Sequence, residues 1–308
     1  MDGTCVRQAW LVMPGATTTP LEDGNLGYFC AQLDLGFPAV RAVVSNVPDG
    51  DGIDDRTQFF GERVVSADIS AIRGAGAHID EIASLFAPFM RPSVRPELHY
   101  VLDRPGVIDR PHEVERVITL RASGFSWPIV GNERRDIHLQ WVAADPIIYG
   151  LDVATTTAST GSSVQPGRRY PLVYDRVYPL GGSFPVVGSL STGGELGVRP
   201  RLRLFGPVNG PRVTFGILQP NRPMTVAQIG FRPTFRVDAG EFVDVDTVAR
   251  TAYMNADQGR PALRFLDWLT LEWPYIPPTP ARAYVTITGQ STTEATRVDV
   301  SWRDAFLT

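Results

Sequence analysis

A short segment in the second half of the chain carries three carboxylates at spacings that could perform acid–base chemistry. Glu241, Asp244 and Asp246 follow the dipeptide Ala239-Gly240. Residues two apart share one face of a β-strand, so Asp244 and Asp246 could form the carboxylate pair that hydrolyses a glycosidic bond when its pKa values are separated. The same pattern is typical of the polar outer face of a strand, and we favour this second interpretation.

Two groups of residues offer metal-binding atoms. One is formed by the four histidines and the other by an acidic segment: His78, His99, His112 and His138, and Asp49, Asp51, Asp54 and Asp55. The histidines do not have the spacing of a zinc site. The acidic segment lacks the glycine and the bidentate glutamate of an EF-hand. We therefore predict no metal site, and we expect surface or half-buried histidines and a solvated acidic turn.

Glycines between a predicted strand and a predicted helix stand where a dinucleotide-binding loop would lie, in Arg73-Gly74-Ala75-Gly76-Ala77-His78. The third glycine of that motif is missing, because position 79 is isoleucine, so a structural turn is the simpler interpretation. All 29 basic residues are arginine, which excludes lysine Schiff-base chemistry and the lysine of a P-loop. No Gly-x-Ser-x-Gly motif is present. We predict no cofactor, no catalytic residue and no enzyme activity.

Three aromatic residues lie close together in a proline-rich segment, namely Trp268, Trp273 and Tyr275. Aromatic rings that are exposed to solvent could stack on sugars or contact a partner protein. Buried rings would instead fill a core or a subunit contact. Exposure decides between these alternatives, so the three residues are candidates for a glycan or partner contact.

The elements that position these residues are predicted to be mainly β-strands. The chain has 308 residues, and its 29 glycines and 26 prolines break long helices and favour short strands that are joined by turns. In the first half, apolar residues alternate over 65–71 and 137–143, and a further strand is predicted over 114–121. One helix is predicted near 77–90, where apolar residues recur at helical spacing and Pro92 ends the pattern. Residues 124–132 are predicted to be a connecting loop.

A domain boundary is predicted near residue 150. Asp145, Pro146 and Tyr149 mark this junction, and residues 155–163 are nearly all small or polar. We therefore expect one domain over 1–150 and a second over 151–308. Strands are expected in the second domain over 202–204, 213–215, 235–237, 242–245, 284–288 and 298–302, which is typical of a β-sandwich or jelly-roll-like module. The Pro- and Gly-rich tract 164–197 is predicted to be an enlarged loop or insertion.

The charge distribution, the cysteine count and the hydropathy indicate which partners and which cellular compartment to expect. The net charge is −4. Residues 1–150 carry 13 arginines and 20 acids, and residues 151–308 carry 16 and 13, so the halves have net charges of −7 and +3. Neither half resembles a nucleic-acid clamp. Cys5 and Cys30 are the only cysteines, and no secretory signal or membrane segment is recognised, so we expect assembly in a cytoplasm.

Three stretches together resemble a known protein family. They are Phe60-Gly61-Glu62-Arg63-Val64-Val65 leading through Ile69 and Gly74 to the helix with Phe86 and Pro92, the stretch from Leu139 to Tyr149, and the stretch from Pro200 through Asp238-Ala239-Gly240-Glu241 to Arg250. In this order they are similar to the distal tail proteins, and related minor tail proteins, of long-tailed, siphovirus-like bacteriophages. Residues 1–58 match that family poorly.

The resemblance implies a fold and a function. The fold would be an N-terminal, ring-forming, belt-like β domain with one helix, followed by a C-terminal galectin-like β-sandwich. The protein would form a hexameric ring of its own copies at the virion tail tip. Its further partners would be the tail tube protein, the tape-measure protein and the tail hub or baseplate proteins, and genomic DNA would pass through the ring without specific binding.

Two other functions are compatible with the same residues. A carbohydrate-binding tail module would use Trp268, Trp273 and Tyr275, and a tail-associated glycosidase would use Glu241 and Asp244. We favour the non-enzymatic ring, because ring formation pairs strand edges that would otherwise be exposed. The negative charge of residues 1–150 leads to the hypothesis that acidic side chains line the channel and repel DNA.

Overall fold

The structure is a computed structural model of the chain. It describes residues 5–13, 15, 18–41, 44–46, 53–55, 59–72, 79–103, 115–126, 129–130, 134–160, 186–219, 222–278 and 283–307. The chain divides into two compact units, Met1–Leu151 with Phe306–Thr308, and Asp152–Ala305. No helix among the described residues is long and apolar enough to cross a lipid bilayer.

The first unit consists mainly of short strands. In chain order they are β1 (Cys5–Val12), β2 (Thr18–Pro20), β3 (Tyr28–Asp34), β4 (Val40–Arg41), β5 (Val44–Asn46), β6 (Ile53–Asp55), β7 (Phe59–Phe60), β8 (Arg63–Ile72), β9 (Glu97–Asp103), β10 (Glu115–Thr119), β11 (Arg121–Ser126), β12 (Ile129–Val130), β13 (Arg134–Ala143) and the beginning of β14 (Ile148–Ser159). The helix α1 (Ile79–Phe86) lies between β8 and β9, and a 3₁₀ turn (Ala87–Met90) follows it.

The strand pairs described in the first unit are all antiparallel. One sheet has the order β11-β13-β8-β3, with β12 paired to β13. In a second set, β2, β1, β9, β10 and the start of β14 are hydrogen-bonded in this order. The strands β4 and β7 pair with each other, as do β5 and β6.

The core of the first unit is formed by alternate residues of β8 and β13 together with one side of α1. Trp141 and Ile69 are fully buried, as are Ile82 and Phe86 of the helix. The ring of Phe86 meets that of Tyr28 edge-on, with centroids 5.8 Å apart. The helix changes to a 3₁₀ turn earlier than the sequence suggests, because Pro88 has no N–H with which to continue the helical ladder.

A buried arginine holds three distant segments of the first unit together. The Arg63 side chain is 1% exposed. Its Nε donates to the carbonyl oxygen of Pro146 at 2.8 Å, and its Nη2 donates to that of Leu307 at 2.7 Å. Its Nη1 donates to the carbonyl oxygens of Gly36 at 2.9 Å and Leu35 at 3.3 Å. Burial lowers the pKa of Arg63, because it removes the water that would otherwise solvate the charge. The four carbonyl groups take the place of that water.

The second unit is also built of antiparallel strands. They are the remainder of β14, then β15 (Gly188–Leu190), β16 (Arg201–Phe205), β17 (Val208–Gln219), β18 (Arg222–Gly230), β19 (Arg236–Val237), β20 (Phe242–Asp246), β21 (Thr251–Met254), β22 (Ala283–Gln290) and β23 (Arg297–Phe306). One sheet has the order β15-β22-β17-β18, with β19 paired to β17. In the other, β23, β16, β20 and β21 are neighbours in this order.

Both sheets of the second unit bury one apolar face. In β16 and β20 every second residue is buried, and the same alternation recurs in β17, β22 and β23. Two antiparallel sheets that each bury one face are what a β-sandwich requires. The mainly β fold with one short helix is therefore confirmed for the described part of the chain, and the assignment of a ring-forming and a galectin-like domain stays a prediction.

Some local expectations were wrong. Residues 124–126 belong to β11 and residues 129–130 form β12, so the described part of the expected loop 124–132 is largely strand. The Thr-rich residues 155–159 form the end of β14, because hydrogen-bonding neighbours are available to them. Of the expected insertion 164–197, residues 164–185 lie outside the described part of the chain, and the insertion stays a prediction. Within its described part, residues 188–190 form β15, and Leu190 is buried.

Replacing Arg63 should destabilise the first unit severely. In Arg63→Ala, four carbonyl groups of half-buried residues lose a charged donor and the buried side chain leaves a cavity, so we expect the free energy of unfolding to fall by about 3 kcal/mol or more. Urea denaturation measures this loss. The matched control Arg121→Ala removes an exposed arginine and should cost less than about 0.5 kcal/mol. A loss below about 1 kcal/mol for Arg63→Ala would contradict the role that we assign to this residue.

Candidate functional site

The three carboxylates of the second unit are ion-paired. Asp244 and Asp246 lie on one face of β20, directly opposite Arg203 and Arg201 of β16. Arg203 donates to both oxygens of Asp244, at 2.6 Å and 3.1 Å, and Arg201 lies 3.1 Å from Asp246. Glu241 accepts from Arg260 at 3.2 Å. Each carboxylate is thus next to a guanidinium group.

These environments do not suit an acid–base pair. The hydrogen bond from Arg260 is the main cause that lowers the pKa of Glu241 below 4.5, whereas the general acid of a glycosidase needs a raised pKa. Asp244 is likewise held as the acceptor of a bidentate arginine bond. The chemistry that this arrangement supports is cross-strand ion pairing, as the polar-face interpretation predicts.

Two of the ion pairs, Arg203–Asp244 and Arg201–Asp246, line a shallow groove of about 520 Å³ on the second unit. The guanidinium carbon of Arg203 lies 4.6 Å from the ring centroid of Phe242, and that of Arg297 lies 4.2 Å from the ring centroid of Phe205. On the same face, Thr157 donates to Asp299 at 2.8 Å. The carboxylates that line the groove therefore all have partners on the same face.

The described histidines lie on two different sheets. His99 is buried, stacks on Trp10, and has its ring nitrogens 2.8 Å from Glu115 and 3.2 Å from Glu97. His138 is exposed on β13, with Nδ1 2.5 Å from Asp68. Among the described residues, no group of three His, Cys, Asp or Glu side chains could hold a metal ion. His78, His112, the glycine loop at 73–78 and residues 49–52 lie outside the described part of the chain.

The aromatic candidates differ in their exposure. Trp268 and Tyr275 are exposed, and Trp273 is half-buried. Trp268 is presented by a turn in which Asp267 accepts from the backbone N–H of Leu269 and from the hydroxyl of Thr270. Their role as a glycan or partner contact stays a prediction.

The three junction candidates form a local cluster in the first unit. Asp145 accepts from the hydroxyl of Tyr149 at 2.9 Å and from the backbone N–H of Ile147 at 3.1 Å. Burial raises the pKa of Tyr149, and the carboxylate of Asp145 raises it further. The carbonyl oxygen of Pro146 is one of the four acceptors of Arg63. The cluster thus shapes the turn between β13 and β14.

The outer face of the sheet β11-β13-β8-β3 is mostly polar. The face opposite the core carries rows of paired residues, namely Gln32, Asp68, His138 and Ser126, then Asp34, Ser66 and Gln140, then Phe29, Ser70 and Asp136, then Val64, Val142 and Arg121. Two apolar side chains of this face, Phe29 and Val64, are exposed. Its described side chains include three carboxylates and one arginine, Arg121, at the end of β11. The sheet is therefore apolar on the core side and net acidic on the other side.

The same sheet ends in two edge strands, β3 and β11. Each edge strand has an irregularity in its pairing, at Ala31 in β3 and at Ser123 in β11. Bulges of this kind add twist and curvature to a sheet. Sequence patterns located the two central strands, β8 and β13, but gave no signal for β3, because its neighbours are distant in the chain.

Comparisons with known proteins identify the fold. No family model and no curated protein sequence matches the chain. Among solved structures, the chain is similar to the Dit protein of SPP1, with a TM-score of 0.60 and 12% sequence identity. The similarity covers 97% of this chain and 99% of that chain. The SPP1 protein is described as a paradigm of the hub adsorption apparatus of phages that infect Gram-positive bacteria. The fold is thus shared with a phage Dit protein.

Two structures of the phage P2 baseplate in its activated conformation are also similar. The one with Ca has a TM-score of 0.47 and 10% identity over 96% of this chain and 98% of that chain. The one with Sr has a TM-score of 0.48 and 10% identity over 97% and 98%.

The Glu241 ion pair should make stability depend on pH. Because the folded-state pKa is lowered, this stabilisation is present above the unfolded-state value of about 4.5 and is lost as the pH falls through the folded-state value. At pH 7 we expect Glu241→Gln to lower the Tm by about 1–3 °C. Calorimetry between pH 3 and 7 should show this difference shrinking below pH 4.5. The control Glu272→Gln changes an exposed glutamate. A Tm difference for Glu241→Gln that does not change with pH, or that equals the difference for Glu272→Gln, would contradict the stabilising ion pair.

Proposed function

We propose that this chain is a structural protein of a phage tail tip that closes with its own copies into a ring around a channel. The ring joins the tail tube to the host-recognition baseplate, and its work is done by interfaces instead of a reaction centre. The observation that carries the proposal is the sheet β11-β13-β8-β3, whose two edge strands pair with no further strand among the described residues and whose two faces differ in character. The fold shared with a phage Dit protein supports it.

The strand directions favour closure of this sheet through copies of the chain. Neighbouring strands along β11-β13-β8-β3 are antiparallel, so the two edge strands also run in opposite directions. When copies are related by rotation about one axis, β3 of one copy and β11 of the next are therefore antiparallel as well. Pairing them continues the same ladder around the ring and satisfies the edge N–H and C=O groups.

The polar face of the sheet suits the wall of a DNA channel. The core side is covered by α1 and apolar side chains, so the face with Asp34, Asp68 and Asp136 is the one available to line the lumen. Carboxylates repel the phosphates of DNA, and a surface with few cations does not retain it. DNA then passes without specific binding.

The proposed place at the tail tip also implies a copy number, partner proteins and a location. The copy number is six, as the resemblance to distal tail proteins implies, and the further partners are the tail tube, tape-measure and hub or baseplate proteins. The protein is located at the virion tail tip after assembly in the host cytoplasm. The ion-paired carboxylates of the second unit support a non-enzymatic role.

The purified full-length chain should assemble into a ring. We expect light scattering to give six times the chain mass of 33.8 kDa, and negative-stain images to show an annulus with a central hole. A monomer at every concentration tested, or a compact particle without a hole, would contradict the proposal. If the ring contains a number of copies other than six, the proposed ring is supported and the proposed hexamer is wrong.

Glycan binding is a second candidate function, favoured by the exposure of Trp268 and Tyr275. Aromatic side chains that are held rigid at a surface can stack on sugar rings. If the second unit is a carbohydrate-binding module, a glycan array should reveal a ligand, and Trp268→Ala should weaken its binding tenfold or more. The control Val248→Ser changes another exposed apolar residue and should leave binding unchanged. Binding to no glycan would reject this candidate and leave the ring unaffected.

A further inference from the structure

A second groove of the second unit brings three arginine side chains to an apolar surface. Its volume is about 610 Å³, which is within the usual range for a site that binds a small molecule. Residues of β19, β21 and the 3₁₀ turn Leu263–Phe265 line it. Backbone pairing fixes part of its wall, since the N–H of Met254 donates to the carbonyl of Arg260 at 3.0 Å. We use the name arginine groove for this site, after its lining residues Arg236, Arg260 and Arg264.

The apolar part of the arginine groove belongs to a row of stacked phenylalanine rings. The ring of Phe235 stacks on that of Phe265, with centroids 5.0 Å apart, and on that of Phe231, with centroids 4.7 Å apart. Phe231 and Phe235 are buried, and Phe265 is half-buried. Rings that are packed in this way have little freedom to move, so they give a ligand a rigid apolar surface at Phe265.

Two of the three arginines are ion-paired within the arginine groove. The Nε of Arg236 lies 2.5 Å from Asp238, and the Nη2 of Arg260 donates to Glu241 at 3.2 Å. Both carboxylates also line the groove. The hydrogen bond from Arg260 lowers the pKa of Glu241, so this carboxylate is ionised at neutral pH and offers acceptor oxygens. The two pairs thus present both signs of charge but add no net charge.

The third arginine has a different environment. The guanidinium carbon of Arg264 lies 4.7 Å from the ring centroid of Phe265. Arg264 is exposed, and no carboxylate among the residues that the structure describes forms an ion pair with it. A guanidinium group over an aromatic ring is held in position but keeps its charge and its N–H donors. Thr234, in the same groove, adds a hydroxyl donor. The arginine groove therefore has one positive charge in excess.

These features together select the chemistry of a ligand. An anionic group matches the guanidinium of Arg264, which can donate two parallel hydrogen bonds to a carboxylate or a phosphate. Hydroxyl groups match the oxygens of Asp238 and Glu241, which accept hydrogen bonds but donate none. A ring with an apolar face matches the phenylalanine surface. A nucleic acid or an acidic peptide carries several negative charges close together, and the two carboxylates disfavour such a ligand.

We propose that the arginine groove binds a sugar that carries one carboxylate or phosphate group. Arg264 binds the anionic group, Asp238 and Glu241 accept hydrogen bonds from sugar hydroxyls, and the sugar ring lies on the phenylalanine surface. This inference does not rest on the proposed ring. The site is also separate from the glycan candidate above, because neither Trp268 nor Tyr275 lines the arginine groove.

Calorimetric titration of the full-length chain with defined sugars tests the inference. The probes are glucuronic acid and glucose 6-phosphate, and neutral glucose and inorganic phosphate are the comparison ligands. We expect at least one of the two anionic sugars to bind with a dissociation constant of about 1–10 mM, as is usual for one small ligand in an open groove. Glucose and inorganic phosphate should each bind at least tenfold more weakly, because each lacks one half of the matching chemistry.

The variant Arg264→Gln removes the excess charge and should weaken binding of the anionic sugar at least tenfold. The matched control Arg199→Gln removes another exposed arginine of the second unit that does not line the arginine groove, and it should bind like the unmodified chain. Both side chains are exposed, so the circular dichroism spectra should not change. If Arg264→Gln does not fold, Arg264→Lys replaces it. This second variant keeps the charge but loses the planar fork, and it should weaken binding at least threefold.

The outcomes distinguish an anionic-sugar site from the other possibilities. Binding of only one anionic sugar supports the inference and identifies the group that Arg264 binds. Binding of neither sugar overturns the inference, as does glucose or inorganic phosphate that binds equally tightly. An unchanged affinity in Arg264→Gln, or in Arg264→Lys where that variant replaces it, also overturns the inference. None of these results bears on whether the chain forms a ring, which the mass and image measurements decide separately.

Discussion

The buried guanidinium of Arg63 is the constraint on which the first unit depends. A charge in this position has to be solvated by the protein, and four carbonyl groups from the turn after β3, the turn after β13 and the end of the chain provide that solvation. None of these segments is close to another in sequence. The positions of the turn after β3, the turn after β13 and the last residues of the chain are therefore coupled through one side chain.

This coupling explains how a sheet with open edges can have a defined shape. Edge strands are prone to pairing errors unless their surroundings select one partner. Here the end of β3 is fixed, because the N–H of Gly36 donates to Asp34 and the carbonyl of Gly36 accepts from Arg63. In the proposed ring, the polar face would line the channel and the two edges would pair between copies. The carboxylates of the second unit are consistent with this account, because each is neutralised by an arginine.

Much of the fold was predictable from the sequence, but the sites were less so. Alternation over 65–71 and 137–143 located β8 and β13, because each strand buries one face. The strand at 155–159 was missed, since threonine and serine give no local signal of the neighbours that stabilise it. The carboxylates Glu241, Asp244 and Asp246 resembled a catalytic group, because the arginines that pair with them are distant in the sequence. No sequence pattern around Arg63 predicted its four carbonyl acceptors. The sequence patterns missed these features because each depends on a contact between segments that are distant in the chain.

The most direct test of the account is hydrogen–deuterium exchange of the two edge strands in the assembled chain and in the dissociated chain. The account predicts that amides of Tyr28–Asp34 and Arg121–Ser126 that exchange rapidly in the dissociated protein become protected together on assembly, while those of the central strand β13 change little. Rapid exchange of both edge strands in the assembled protein would contradict the account, because it would show that copies of the chain associate without pairing these edges.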